Sequence, residues 1–541
     1  MRRPVRPVVP VLVSVAALAV VWYFRTWLHA PVLWLYATPA VLQALVVWAL
    51  VHALLLRRWE PLTRVRAVHW KDQTGASRTG HWRGLWWVSV PVGATLVVLL
   101  PLVSLWLRHA ELGRITDYQP IDRLPESASQ IRVMPVEVAL RLARDSLQTP
   151  QYALGRQALA PVDGRLSWQF LLVPSAAVIK WLLPAGGVAV VDATTQEKNT
   201  RLLQRPLRPA EGIHLTDNLW WQAYRRRYFV TGEKPYYLVA PDGGIWTVAP
   251  AIGWRYRWRW GLAYTVPYFA GAFVASPEGD VAFLEPEALA AHPVVGGTRV
   301  FPERLARWLA EAYGFRRGIV NALFIHHDQV KVTDVERGED GPVNRQPFLM
   351  ATREGLVWFI SAEPYGQSRG VFKVFLVDAS TGEVRVLHLP PDQTLTGPTR
   401  AIDYVRRANP VVDWSRFEII EPLPFVRDGV LYWKVVVMPQ DAAGIAYQAF
   451  VDTRTNHVYA VESDEEVARF LAAGPAGPSA GGVAPVLAGA PRMMAGAATD
   501  GPGVPDGAEI GQLLQEIRER LDRLERLLQT VEPSLPSEPS P

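Results

Sequence analysis

The residues best suited by type and spacing to do chemistry lie in one short stretch, GWRYRWRWGL, from Gly253 to Leu262. Trp254, Tyr256, Trp258 and Trp260 share one parity, and Arg255, Arg257 and Arg259 share the other. Alternation at a period of two marks a strand with two unlike faces. Two readings are open. In one, the aromatics pack against a neighbouring layer while the arginines stand in water or pair with carboxylates. In the other, arginines spaced about 6.5–7 Å apart on one face form a charged row. With stacking aromatics beside it, such a row suits anionic lipid headgroups or an anionic envelope polymer.

Other chemistry is sparse. His326-His327-Asp328 is a histidine cluster, but neighbouring histidines on a strand point to opposite faces and cannot meet one metal without distortion. Asp242-Gly243-Gly244 reads as a turn; a phosphate loop needs a lysine and a helix after it, and neither follows. His-Glu-x-x-His does not occur, and no pair of carboxylates stands out as acid and base. The chain of 541 residues has no cysteine, which excludes disulfides, thiol catalysis and cysteine-based zinc sites. The expectation is a protein that is not an enzyme and holds no metal and no cofactor.

The elements that must position these residues begin with apolar runs. Pro7 to Phe24, Pro31 to Leu56 and Gly84 to Leu107 each approach or exceed the roughly 20 residues needed to cross a bilayer, and predict three transmembrane helices at about 7–24, 31–56 and 84–107. Gln43 and His52 are the notable polar residues inside them. Ala17-Leu18-Ala19 resembles a signal-peptide cleavage site, but the apolar run continues past it, which favours an anchor. Arginines gather before the first run and in the loop 57–83. The positive-inside rule therefore puts both segments in the cytoplasm and everything after about Arg108 outside. Most of the basic excess belongs to these segments, and the rest of the chain is slightly acidic. Nucleic-acid binding by the outer part is thus not expected.

From Arg132 to about Val461 one plan recurs: a short amphipathic helix, then strands, then a strand closed by a turn with Asp and Thr. Helices are expected at Val136 to Leu147, Pro302 to Tyr313 and Pro398 to Asn409. The closing strands end in VDATT from Val191, VDASTGE from Val377 and VDTRTN from Val451. The aspartate can bond forward to the backbone as an Asx-turn, and Asn456 tolerates left-handed geometry. This pattern resembles the PepSY family of small extracytoplasmic modules, each one helix packed on an antiparallel sheet. The resemblance implies an α+β ectodomain of tandem PepSY/cystatin-like modules at 108–205, 206–300 (divergent), 301–390 and 391–472. The VDAxTGE ending is complete only at Val377 to Glu383. The family is linked to inhibition or regulation, and it supplies no catalytic residues to carry over.

Ala473 to Gly507 is mostly Ala, Gly, Pro and Val and reads as a flexible linker at 473–507. Beyond it, Ile510, Leu514, Ile517, Leu521, Leu524, Leu528 and Val531 alternate four and three apart. This seam predicts a coiled-coil helix at 508–532, followed by a disordered tail at 533–541. The helix either self-associates, which makes a homo-oligomer, or folds back onto its own chain or onto lipid. The reading as a whole is a multi-pass plasma-membrane protein with its N-terminus cytoplasmic and a large C-terminal domain outside. It would bind, scaffold or regulate at the cell envelope without catalysis, and its partner would be an envelope protein, anionic lipid or envelope polymer. Alternatives are a subunit of an oligomeric transport or channel complex, and a PepSY-type inhibitor of an envelope protease.

Overall fold

The computed structural model describes residues 8–65, 83–128, 131–332, 346–366, 370–390, 393–440 and 444–475. Its helices are α1 (Val8–Tyr23), α2 (His29–Ala37), α3 (Pro39–Val65), α4 (Arg83–Ile115), α5 (Val136–Ser146), α6 (Leu219–Arg226), α7 (Pro286–Ala290), α8 (Glu303–Ala312), α9 (Pro398–Ala408) and α10 (Asp464–Ala473). The seam from Ile510 to Val531 lies outside the described residues.

The N-terminal region corrects the expectation of three spans. Among the described residues one helix, Ser89–Ile115 within α4, is long and apolar enough to cross a membrane. Leu12–Tyr23 and Arg25–Ala37 pass the same test only together, across a bend of 63°, and Pro39–Leu54 is a shorter apolar helix. The apolar runs are continuous in hydropathy, but the helices are not. A 3-10 turn at Arg25–Leu28 follows the first run and leads directly into α2, and Thr38 (φ −127, ψ 63) separates α2 from α3 within the second run. α3 and α4 pack closely where Gly93 leaves room for the Trp48 ring, since an added Cβ would lie 2.5 Å from its Nε1. The same nitrogen donates to the Ser89 carbonyl at 2.8 Å. Val46 and Leu50 of α3 and Val98 and Leu99 of α4 remain exposed.

The rest is mixed α+β with several antiparallel sheets. One has four strands in sequence order, Tyr152–Val162, Arg165–Pro174, Val188–Asp192 and Thr200–Leu203. A second is built around a long hairpin, Ile245–Arg259 with Leu262–Ala275. A third centres on Gly355–Pro364 and Lys373–Asp378, and takes Tyr118–Ile121 as a parallel edge strand beside Val384–His388. The fourth runs Phe417–Arg427, Val430–Pro439, Tyr447–Asp452 and Val458–Val461.

Three of these sheets share one hydrogen-bond frame. A buried tryptophan on a central strand of the unit donates its indole N–H to a carbonyl just before the helix: Trp168 to Met134 at 2.9 Å, Trp358 to Phe301 at 3.1 Å and Trp433 to Thr396 at 2.7 Å. The N–H groups of those same residues bond to Ala193, Ala379 and Thr453, which follow the closing aspartates. The helix start, a central strand and the closing turn are thereby tied together in each unit. The turns form as expected. Asp192, Asp378 and Asp452 accept from backbone N–H groups two residues on at 2.8, 2.8 and 2.7 Å, and Asn456 has φ 63.

α10 occupies residues read as the end of the fourth module and the start of the linker. Its start has a capping box, with Ser463 Oγ accepting from Glu466 N and Glu466 Oε2 accepting from Glu462 N. Val467, Phe470 and Leu471 pack on the fourth sheet, where Phe470 stacks on Phe450 with ring centroids 4.2 Å apart.

Candidate functional site

A cavity of roughly 1020 Å³ lies where the first, second, third and fourth sheets meet the segment joining α1 to α2. Its lining includes six cationic side chains and five carboxylates among the described residues.

The shared frame explains how two of the cations arrive there. Arg132 stands two residues before Met134, and Arg299 two before Phe301, so they hold equivalent positions in the first and third units. Each guanidinium lies over the tryptophan of its own unit, Arg132 at 5.2 Å from Trp168 and Arg299 at 6.0 Å from Trp358. Both line the cavity.

Their surroundings then diverge. Arg132 meets Glu421, Nε to Oε2 at 3.4 Å, although neither atom is aligned for a hydrogen bond. Glu421 sits at a β-bulge between Ile420 and Leu423 with φ 51. The left-handed conformation is uncommon for a non-glycine residue, and bulges of this kind re-aim side chains. Lys434 lies buried nearby and donates from Nζ to the carbonyls of Arg132 at 3.0 Å and Val133 at 2.9 Å. Burial pushes its ammonium down to about 7, against the pull of Glu421. Burial raises the Glu421 carboxyl, with Arg132 opposing.

Arg299 has no such partner. It is 9% exposed and lies over the Tyr236 ring at 4.4 Å. Among the described residues it makes no hydrogen bond or ion pair with the protein, and its Nε is buried without a partner. Burial lowers the affinity of this guanidinium for its proton, opposed by Tyr236, Glu303 and Glu233 at longer range. Several of the cavity's other charges are occupied. Glu233 Oε1 accepts from the backbone N of Arg304 at 3.0 Å at the start of α8 and lies 3.4 Å from its Nε. Burial raises the Glu233 carboxyl. Arg307 donates to Glu311 at 2.7 Å and to the Gln346 carbonyl at 2.9 Å. Arg156 stands 3.6 Å from Glu211.

Arg132, Arg299 and Thr26 carry buried polar atoms without protein partners, a condition that native structures ordinarily meet with water or a ligand. The wall next to the N-terminal helices is Trp27, His29 and Ala30. His29 stacks on Tyr224 with centroids 3.4 Å apart, so the α1–α2 segment is bound to α6 at the rim.

The aromatic–arginine stretch lies elsewhere and lines no part of this cavity. Trp254 is buried, donates to Thr231 Oγ1 at 3.1 Å and lies beside Trp308. Arg255 covers Tyr268 at 4.2 Å. Tyr256 donates to the Tyr36 carbonyl at 3.0 Å. Arg257 approaches Glu111 at 4.0 Å, and Arg259 lies over Trp260 at 4.6 Å. Trp258 and Trp260 are exposed. The strand therefore has no uniform aromatic inner face: burial ends at Trp254, and beyond it both parities are open.

The histidine cluster is not on a strand. A π-helical turn at Asn321–Ile325 leads into His326 and Asp328, both at φ 57. His326 stacks on Tyr365, while Asp328 accepts from the buried Lys373 at 2.5 Å.

Sequence reasoning missed the cavity. The available signal was the repetition of an arginine two residues before each of two module starts, visible only once the tryptophan frame is aligned. No protein-family profile, curated protein or solved structure matches the chain.

Proposed function

We propose that the protein is a membrane-anchored, extracytoplasmic binding protein of the cell envelope, built from PepSY-like units, whose cavity accepts a small molecule bearing a carboxylate or phosphate. The single observation that carries this reading is Arg299, a buried guanidinium on an aromatic platform, facing a cavity of ligand size and making no hydrogen bond or ion pair among the described residues. Ligand sites combine this kind of concave volume with a few placed polar groups, and a planar guanidinium is suited to bidentate contact with carboxylate or phosphate. Apolar surface on α3 and α4 supports anchoring in a membrane. Three of the lining carboxylates, Glu421, Glu211 and Glu233, lie against cations or hold a helix start, which favours binding over catalysis.

The test compares full-length protein in detergent with its Arg299→Met variant at constant ionic strength. Thermal unfolding is followed with citrate, pyrophosphate or chloride alone. The wild type is expected to gain several degrees with citrate or pyrophosphate over chloride, and the variant to gain none. Equal responses of the two proteins would remove Arg299 as the anion contact and the reading with it.

A further inference from the structure

The tip of the long hairpin is built in a way that its own fold does not require. Trp260 and Gly261 form a two-residue turn in which both have positive φ, 52 and 76. Such turns favour Asn-Gly because left-handed geometry is strained for most side chains. A tryptophan there is an outlier for a bulky residue, and strain of this kind persists where something else over-determines it. The indole gains little from its own chain, since Trp260 is 79% exposed and Trp258 is 67% exposed.

Where this tip sits is set by the apolar helices. Gln43, a polar residue within the second apolar run, holds the turn on both sides: its Nε2 donates to the Gly261 carbonyl at 3.1 Å, and its Oε1 accepts from Ala263 N at 2.7 Å. Four residues back, Thr265 meets Arg108 of α4, which donates from Nε to the Thr265 carbonyl at 2.9 Å. The strand thus continues about 13 Å past Arg108, alongside the first turns of α3. There Leu42, Leu45 and Val46 expose apolar side chains to the same surroundings as the tip.

We propose that the hairpin tip is seated in the interfacial layer of an anionic phospholipid bilayer. Trp258 and Trp260 lie at the boundary of headgroups and acyl chains, and Arg257 and Arg259 contact lipid phosphates. The inference rests on the reading that α4 crosses a membrane. Tryptophan prefers this layer because an amphipathic ring meets both water and hydrocarbon there, and each basic residue near an anionic surface adds attraction. Continuity with the exposed apolar face of α3 selects lipid over a soluble polymer. The tip is held on that face by Gln43 and by Tyr256, which bonds to the Tyr36 carbonyl.

The absence of cysteine makes the test direct, because any introduced cysteine is a unique labelling site. Full-length protein carrying Trp260→Cys, Val411→Cys or Leu102→Cys is labelled with an environment-sensitive fluorophore. It is then reconstituted into vesicles of phosphatidylcholine with phosphatidylglycerol. Quenching by nitroxides on the lipid is compared with quenching by aqueous iodide. The Trp260→Cys label is expected to be quenched severalfold more by lipid nitroxide than the Val411→Cys label. Adding Arg257→Gln and Arg259→Gln is expected to reduce that lipid quenching in phosphatidylglycerol vesicles and to leave it unchanged in pure phosphatidylcholine. Iodide quenching at Trp260→Cys equal to that at Val411→Cys, with Leu102→Cys still quenched by lipid, would overturn this inference alone. Loss of lipid quenching at Leu102→Cys as well would overturn the membrane reading beneath it.

Discussion

Arg299→Met separates a cation kept for a ligand from a cation kept for the fold, because the two predict opposite signs. Arg299 is 9% exposed and has no hydrogen bond or ion pair with the protein among the described residues. Its compensation is the Tyr236 face at 4.4 Å, a contact worth about 2 kcal/mol when desolvated. The effective penalty for burying one ion is several kcal/mol even after relaxation. The balance is unfavourable by roughly 1–3 kcal/mol, and methionine, unbranched and of similar reach, removes the charge while retaining much of the packing. The variant without ligand should therefore be as stable as the wild type or more stable, by up to about 3 kcal/mol. The assay is denaturant unfolding of detergent-solubilised full-length protein in a chloride buffer, with far-UV circular dichroism as the readout. A loss of more than about 1 kcal/mol would refute the reasoning, because it would mean that the guanidinium contributes net stability through its aromatic contacts.

Other outcomes follow from single contacts. Trp433→Phe should destabilise by about 2–4 kcal/mol, measured by denaturant unfolding, because it leaves the Thr396 carbonyl without its donor and opens a small void; a change below about 0.5 kcal/mol would mean that the frame is incidental. Lys434 has its pKa pushed down to about 7 by burial, against about 10.4 in an unfolded chain. Between those values the unfolded state binds the extra proton, so this group makes stability rise with pH from about 7 to about 10. Subtracting the pH–stability profile of Lys434→Met from that of the wild type should leave this rise, and a flat difference would count against it. Gln43→Leu removes both bonds to the hairpin turn. Tryptic cleavage after Arg257 and Arg259 should then accelerate in proteoliposomes while the protein stays membrane-bound; unchanged cleavage would show that Gln43 does not hold the tip.

Local features were legible in the chain because their causes are local. Pro398 at the first turn and the spacing of Ala401, Ile402 and Val405 specify α9, whose buried face is those same residues. Asp192, Asp378 and Asp452 close their strands through bonds to residues two positions on, an arrangement that needs no partner from elsewhere. The capping box of α10 was equally local. It was overlooked because the apolar residues behind it merge into an alanine- and glycine-rich stretch.

Span number, site and surface depend on distant parts of the chain. Hydropathy sums over a window and does not register the break at Thr38, which divides the second apolar run into two shorter helices. Alternation established that Trp254 to Arg259 is a strand, but it could not say that Trp260 turns the chain or what either face meets. The answer changes along the strand as it leaves Thr231 and Trp308 and passes beside Gln43 of α3. The cavity is a tertiary fact in the same sense. Arg132 and Arg299 hold equivalent places in two units, yet Glu421 of the fourth unit meets only the first of them. Sequence by itself determined the short helices α5, α8 and α9 and the aspartate turns at Asp192, Asp378 and Asp452, because backbone geometry and side-chain period act over a few residues. The tertiary structure decided which charge is left unpaired, because a charge is neutralised by whatever folding brings within a few ångströms.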